Sequence, residues 1–167
     1  GINLINENTG LMAPKAAVTG PTGVFWMGYD NFYVYTGSIQ KVPCTVLGYV
    51  FNDYNSSQSY KTHAFSNTQF DEVGWYYCSG NSSEIDRYVT YNYGEKVWSY
   101  GQLERHAWLD AGVEPYPTAT LDAYLYQQET GYDADGSPMT NVYIESSDFD
   151  IGDGEQFAFI NRMIPDI

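Results

Sequence analysis

The aromatic residues of this chain are grouped in short runs along which large side chains alternate with smaller ones. Tyrosine alone supplies 17 of the 167 residues, and 8 Phe and 4 Trp accompany it. Clear examples are the runs 24–27, 31–35 and 75–78. Aromatic and β-branched side chains fit the pleated, half-buried surface of a sheet, and a period of two between Gly, Asn and Asp residues indicates short antiparallel strands. The sequence therefore predicts an all-β fold.

Composition excludes several classes of protein. A hydrophobic fraction of 43% is far from that of disordered chains, and 167 residues suffice to bury a core. The formal net charge is −14, from 21 acidic and 7 basic residues, which argues against a broad nucleic-acid-binding surface because phosphate binding needs clustered Lys and Arg. No uninterrupted apolar run approaches the roughly 20 residues of a membrane helix, so we expect no membrane span.

Glycine and proline punctuate residues 1–23, which predicts a loop-rich opening segment followed by one β-propeller-type domain over 24–167. A short helix is predicted within 45–54, where apolar residues fall at helical spacing. The chain begins at Gly1 and stops directly after an apolar run, so we expect a fragment or processed product of a larger subunit. The alternating runs predict strands at 24–27, 32–35, 39–44, 61–65, 72–78, 87–93, 96–100, 118–121, 124–128, 142–147 and 156–163.

The strand pattern repeats along the chain. Trp26 and Trp75 lie 49 positions apart, each followed by a turn and a further aromatic strand. Recurrence at roughly 40 to 50 residues is typical of propeller blades, each a four-stranded sheet that cannot bury both faces alone. Two clear copies and a shorter third predict a β-propeller or partial propeller of antiparallel meanders. A β-sandwich shares the strand lengths and turn spacing, and it stays open as the alternative.

Motifs that carry chemistry are missing, which predicts a protein that is not an enzyme and holds no cofactor. The chain has no GxSxG, GxxxxGK[ST] or HExxH sequence, and Gly152–Gly154 does not complete a GxGxxG. His63 and His106 have no motif partner, so a packed or hydrogen-bonded role is predicted for both. Cys44 and Cys78 lie in apolar runs and are predicted to be small buried hydrophobes, with a disulfide as the alternative. We therefore assign no catalytic, cofactor-binding or metal-ligating residue.

Two acidic clusters have the composition of calcium loops. They contain Asp133 and Asp135 in the first, and Asp148, Asp150 and Asp153 in the second. An EF-hand loop needs a Glu at its twelfth position, and neither cluster has one. Solvated hairpin turns are the prediction for both clusters, with calcium binding as the alternative.

Half of each alternating run must face away from the core. These outward aromatic residues are what a large assembly interface would use. They are also what a sugar-binding face would use, and paired acids beside them would serve glycoside cleavage. The residues that alternation assigns to this outward set are Tyr29, Tyr33, Tyr35, Tyr91 and Tyr93.

One series of segments resembles a known family. Its members are 23–28, 32–37, 42–45, 86–89, 91–93, 97–98, 107–110 and 144–154. Together they resemble the propeller region of tail proteins of short-tailed bacteriophages, namely the tail nozzle (tail tubular protein B) and the DNA-stabilising tail proteins. The likeness spans residues 11–167, and its motifs are structural rather than catalytic. The chain is much shorter than a full nozzle subunit, without platform or tip domains.

The resemblance implies a virion protein of the phage tail, assembled in the host cytoplasm into a homo-oligomeric ring of six. Such a ring extends the DNA exit channel and contacts other tail proteins such as the adaptor and fibres. An acidic channel repels phosphates, so packaged DNA passes without specific binding. The expected function is therefore a non-enzymatic tail component. The alternative is a carbohydrate-binding or glycoside-cleaving propeller module.

Overall fold

The computed structural model describes residues 1–145 and 162. The chain divides into two compact units, 1–130 and 131–167. All assigned strands lie in the first unit, where they form three antiparallel sheets of four, four and three strands. The all-β prediction of repeated antiparallel meanders is confirmed at this level.

The first sheet is a meander in which each strand pairs with the next along the chain. Tight turns explain this order, since Gly28 donates its backbone N–H to the Asn31 carbonyl at 2.8 Å and closes the turn between the second and third strands. A side chain at position 28 would meet the Tyr33 ring, so glycine fits there. The strands are β1 (Ala17–Gly20), β2 (Gly23–Met27), β3 (Phe32–Tyr35) and β4 (Ile39–Lys41).

The second sheet repeats this meander with strands of up to six residues. Asp71 adopts a left-handed conformation with φ of 57° just before the second of these strands, as a tight turn requires. The strands are β5 (His63–Asn67), β6 (Glu72–Tyr77), β7 (Arg87–Asn92) and β8 (Val97–Gly101).

The third sheet has three strands, and its central strand is β10. Asp122 has a φ of 51° in the two-residue turn that joins β10 to β11. The first strand, β9, was not predicted from the sequence because its three residues give too short a run to show alternation. The strands are β9 (Ala107–Leu109), β10 (Thr118–Leu121) and β11 (Tyr124–Gln127).

Helices are few and short. The predicted helix is present as α1 (Leu47–Asn52), and 3-10 helices occupy Ser56–Lys61 and Thr68–Phe70. α1 packs its Phe51 ring against Phe32, with ring centroids 5.5 Å apart. Across the part of the chain that the structure describes, no helix is long and apolar enough to cross a membrane.

The main core lies between the first and second sheets. Phe32 contributes from β3 and is fully buried, with its ring 4.8 Å from Trp75 and 4.7 Å from Trp98. A second, smaller core group lies where the second sheet meets the third, around Phe65, Tyr76 and the partly buried Trp108. The buried apolar residues of the main core are Met12, Ala13, Ala16, Phe25, Met27, Phe32, Val42, Val50, Val73, Trp75, Tyr77, Val89 and Tyr91.

The first strands of the three sheets lie side by side. Lys15, just before β1, forms a parallel bridge with His63, and its carbonyl accepts a hydrogen bond from the Ala64 N–H at 2.8 Å. β5 in turn contacts β9. The first strand of each later sheet therefore lies beside the first strand of the sheet before it.

The two tryptophans that define the sequence repeat occupy equivalent places. Trp26 lies in β2 opposite Ala17, and Trp75 lies in β6 opposite Ala64, so each stands in the second strand of its sheet opposite an alanine of the first. The period read from the sequence therefore matches the spacing between two sheets.

Some boundaries differ from the prediction. β1 lies inside the segment 1–23, where the density of Gly and Pro hid a four-residue strand. The strand predicted at 142–147 is wrong over its described part, since 142–145 have no regular structure. Among the described residues, no strand pairs with this stretch. The strand predicted at 156–163 falls outside the described residues except for position 162.

Candidate functional site

The indole N–H of each of the four tryptophans donates a hydrogen bond to a backbone carbonyl in another segment of the chain. Trp75 is fully buried and donates to the Ala16 carbonyl at 2.9 Å. Buried indole donors need such partners, and each main-chain acceptor here belongs to an earlier part of the chain. The other three bonds run from Trp26 to Thr9 at 2.8 Å, from Trp98 to Pro43 at 2.8 Å and from Trp108 to Ser66 at 2.7 Å.

These bonds give the stack a direction. Trp98 of the second sheet bonds the chain that follows β4 of the first sheet, and Trp108 of the third sheet bonds β5 of the second. The second and third sheets are thus each hydrogen-bonded to the part of the chain that forms the sheet before them. Trp26, in the first sheet, bonds the N-terminal segment instead, and its ring stacks on Tyr33 at 5.6 Å.

A cleft of about 270 Å³ opens where the second sheet meets the third. Aromatic rings form much of its wall, and the Trp108 ring packs against Phe65 at a tilt of 42°, with ring centroids 4.9 Å apart. Gly74 is required beside Phe65, because a side chain at that position would overlap the Phe65 ring. The lining residues are Phe65, Asn67, Glu72, Tyr76, Tyr88, Thr90, Ser99, Leu103, Trp108, Gln128 and Glu129.

The polar groups of the cleft include one buried amide and two carboxyl groups. Asn67 is buried and donates its Nδ2 to the Glu129 Oε1 at 3.1 Å, while its Oδ1 has no partner within the structure. Burial raises the pKa of the Glu72 carboxyl, and the nearby Glu129 charge raises it further. Asn67 and Glu129 are 62 residues apart in the sequence, so no local pattern could have indicated this pairing.

Glu72→Gln is expected to increase the free energy of unfolding at pH 7. A carboxyl whose pKa is raised by folding favours the folded state in its protonated form, and that contribution is lost as pH rises through the folded-state pKa. Glutamine retains the shape without the charge, so the difference between variant and parent should vanish below about pH 4, near the ordinary glutamate pKa. Urea unfolding at pH 7 and pH 4 measures it. A variant less stable than the parent at pH 7 would contradict the expectation.

The cysteines are both free thiols, and Cys78 is buried while Cys44 is half-buried. Burial raises the pKa of each thiol to about 11. The prediction that they behave as small hydrophobes is confirmed by their packing in the two core groups. No disulfide joins them.

Thiol labelling of the folded chain at pH 8 is expected to be about a hundredfold slower than in denaturant, because burial raises the pKa of each thiol from 9.0 to about 11 and so reduces the reactive thiolate. The Cys44→Ser and Cys78→Ser variants each leave one thiol and separate the two rates. A native thiol that reacts as fast as the unfolded chain would contradict the prediction.

The histidines differ from each other. His63 is buried at the start of β5 and stacks on Tyr76 with ring centroids 5.2 Å apart, as a packed role predicts. His106 is exposed, and its Nε2 lies 3.3 Å from the Glu104 Oε1. Both line a second recess.

The first acidic cluster forms a turn in which Asp133 accepts a hydrogen bond from the Gly136 N–H at 3.0 Å. This is the predicted hairpin turn at Asp133 and Asp135. Asp148, Asp150 and Asp153 lie outside the described residues. Within 1–145 and position 162, no group of three or more His, Cys, Asp or Glu residues is arranged to hold a metal ion.

The outward aromatic set was partly wrong. Tyr29 and Tyr35 are exposed as predicted, but Tyr33 and Tyr91 are buried. Packing explains the difference, because both faces of the second sheet are covered and, on the first sheet, the Tyr33 ring stacks on Trp26. Alternation in a two-sided stack therefore does not separate core from surface.

No known protein-family model matches this chain, and no curated protein sequence matches it.

Proposed function

We propose that this chain is a non-enzymatic structural component of the tail of a short-tailed phage, in which it forms part of a ring that extends the DNA exit channel. The observation that carries the proposal is the one-directional stacking of the three sheets. We further propose that the sheets are successive blades of a propeller or partial propeller rather than the halves of a sandwich.

The sense of stacking favours blades over a sandwich. Phe25 and Met27 face the second sheet from β2, whereas Val73, Trp75 and Tyr77 face the first sheet from β6. Aligned on Trp26 and Trp75, these two sets belong to opposite faces of the repeated unit. Propeller blades pack in this way, front against back, and their first strands adjoin around a centre. In a sandwich the two sheets pack through their inner faces.

Among the described residues, stacking in one direction leaves one face of the third sheet without a neighbouring sheet. On the third sheet, Leu109 and Leu125 are 52% and 70% exposed, on the face opposite Trp108. The N-terminal residues Ile2 and Leu4 are also exposed. Apolar side chains exposed in groups mark contact surfaces, and a subunit of a larger assembly would bury them against its neighbours.

The net charge of −14 suits a wall beside packaged DNA. Like charges repel, so a duplex would pass such a wall without the salt-dependent adhesion that clustered lysines cause. The basic residues are few enough that this repulsion dominates at long range.

Quantitative mass spectrometry of purified virions from the genome that encodes this chain tests the proposal. The expected result is about six copies for each portal ring, retained after salt washing. Absence from virions, or a copy number far below one for each particle, would contradict it. A capsid protein of the same particles provides the internal standard.

A second candidate function is saccharide binding in the cleft between the second and third sheets. The specific observation is the buried Asn67 Oδ1, an acceptor without a partner, beside aromatic walls and two carboxylates. Sugar hydroxyls donate hydrogen bonds, and sugar rings pack on aromatic faces. A saccharide would therefore suit both the acceptors and the aromatic wall of the cleft.

Asn67→Ala is expected to weaken saccharide binding at least tenfold, because it removes a hydrogen-bond partner from a buried site. Calorimetric titration with a panel of neutral mono- and disaccharides measures the effect. Tyr124→Ala, an exposed residue that does not line the cleft, is the matched control. If the parent chain binds none of the panel, the second candidate is refuted and the structural proposal stands unaffected.

A further inference from the structure

A recess of about 380 Å³ lies at the starts of the three first strands. His63 begins β5, His106 immediately precedes β9, and Lys15 lies shortly before β1. The parallel bridge between Lys15 and His63 fixes two of these residues next to each other. The remaining lining residues are Pro14, Tyr60, Lys61, Glu84 and Ile85.

The recess reverses the charge of the rest of the molecule. The chain has 7 Lys and Arg residues and 2 His, and this recess contains two of the lysines and both histidines. Of the 21 acidic residues only Glu84 lines it. A chain so rich in acid would scatter its few cations if they served solubility alone, so their convergence indicates attraction for an anion.

Lys61 is held in place by its contacts. Its Nζ donates to the Glu84 Oε1 at 2.8 Å and to the Ser83 carbonyl at 2.6 Å. An ammonium group has three donor hydrogens, so one remains for a ligand. The Lys15 ammonium makes no ion pair among the residues that the structure describes.

The His63 ring contributes a buried hydrogen-bond acceptor to the recess. The residue is 7% exposed, and its Nε2 is buried with no hydrogen-bond partner among the described residues. The other ring nitrogen, Nδ1, lies 3.4 Å from the Lys61 carbonyl, which only accepts, so Nδ1 carries the proton in the neutral ring. Burial lowers the pKa of His63, and the charges of Lys15 and His106 lower it further. In the neutral ring Nε2 is therefore a buried hydrogen-bond acceptor that a ligand hydroxyl could pair with.

We propose that this recess binds inorganic phosphate, with Lys15 and Lys61 donating to its oxygens and the His63 Nε2 accepting from its hydroxyl. Buried polar atoms are nearly always paired, and a hydrogen phosphate ion satisfies both the cations and the acceptor. Sulfate has the same shape and charge but no hydroxyl at neutral pH. The site therefore distinguishes the two ions.

Calorimetric titration of the full chain at pH 7 with sodium phosphate and with sodium sulfate tests this. We expect saturable phosphate binding at least tenfold tighter than sulfate binding. Lys15→Met should weaken phosphate binding about tenfold, because one charge-assisted hydrogen bond is lost. Lys41→Met removes the same charge outside the recess and should leave the affinity unchanged.

His63→Phe separates the acceptor from the cations. Phenylalanine retains an aromatic ring beside Tyr76 but lacks Nε2, so the preference for phosphate over sulfate should disappear. Titration with methyl phosphate distinguishes a site for phosphate monoesters from a site for the free phosphate ion. Binding equal to that of inorganic phosphate assigns the site to phosphate monoesters, and weaker binding assigns it to the free ion.

Three outcomes would overturn the proposal: no saturable phosphate binding, equal affinity for sulfate in the parent chain, or equal losses in Lys15→Met and Lys41→Met. Circular dichroism of each variant identifies one that has not folded, and Lys15→Met, at an exposed position, provides the decisive comparison in that case. The result is independent of the proposed tail function.

Discussion

Replacing Trp75 by alanine is expected to lower the free energy of unfolding by about 3–5 kcal/mol, the usual cost of deleting a large buried ring. Trp75 is completely buried, packs against Phe32 and Trp98, and bonds Ala16 across the boundary between the first and second sheets. The substitution therefore leaves a cavity and removes one of the two hydrogen bonds that the Ala16 carbonyl accepts, while the bond from the Met27 N–H remains. Urea unfolding followed by circular dichroism measures the loss.

Two further variants make the Trp75 result specific. Val97→Ala removes an exposed side chain from the same sheet and should change stability by less than about 0.5 kcal/mol. Trp75→Phe retains an aromatic ring but not the indole donor, and an intermediate loss of about 1–3 kcal/mol is expected even if the alanine variant does not fold. A loss for Trp75→Ala no greater than that for Val97→Ala would show that the two sheets do not depend on their shared core.

Trp108→Ala is expected to release the third sheet while the other two stay folded. Trp108 joins β9 to the second sheet through its bond to Ser66 and its packing on Phe65 and Tyr76. It is only half-buried, so we expect a loss of about 2 kcal/mol, less than for a fully buried tryptophan. Amide hydrogens of β9–β11 should then exchange roughly thirtyfold faster, and those of β2 and β3 at the parent rate.

Hydrogen exchange followed by mass spectrometry resolves these segments. Leu109→Ala is the matched control, because Leu109 neighbours Trp108 on β9 but is half exposed on the other face. Uniform acceleration across all three sheets would contradict the prediction, since it would mean that the sheets open together.

Much of the fold was readable from local pattern. β10 was predicted with its exact observed ends, and the helix α1 lies within the predicted range 45–54. These segments could be predicted because the hydrophobic period and the flanking turn residues indicate the same boundaries within a few positions. β1 was missed because Gly and Pro residues surround it, and β9 because three residues are too few to show a period; both strands are ordered by contacts with β5.

The candidate sites were largely invisible in the sequence. The cleft joins Asn67 to Glu129 across 62 positions, and the recess joins residues that precede three different strands. His63 and His106 were assigned packed or hydrogen-bonded roles, which describes their contacts but not their convergence on one recess. Such groupings follow from the stacking of sheets, a long-range property that no window of neighbouring residues encodes.

Electron cryo-microscopy of intact virions would show where this chain lies in the particle. We expect a ring of this chain around the DNA exit channel, in which β1–β4, β5–β8 and β9–β11 follow one another front to back with their first strands adjoining. A particle without the chain, or a chain whose sheets pack as a closed two-sheet sandwich, would contradict it.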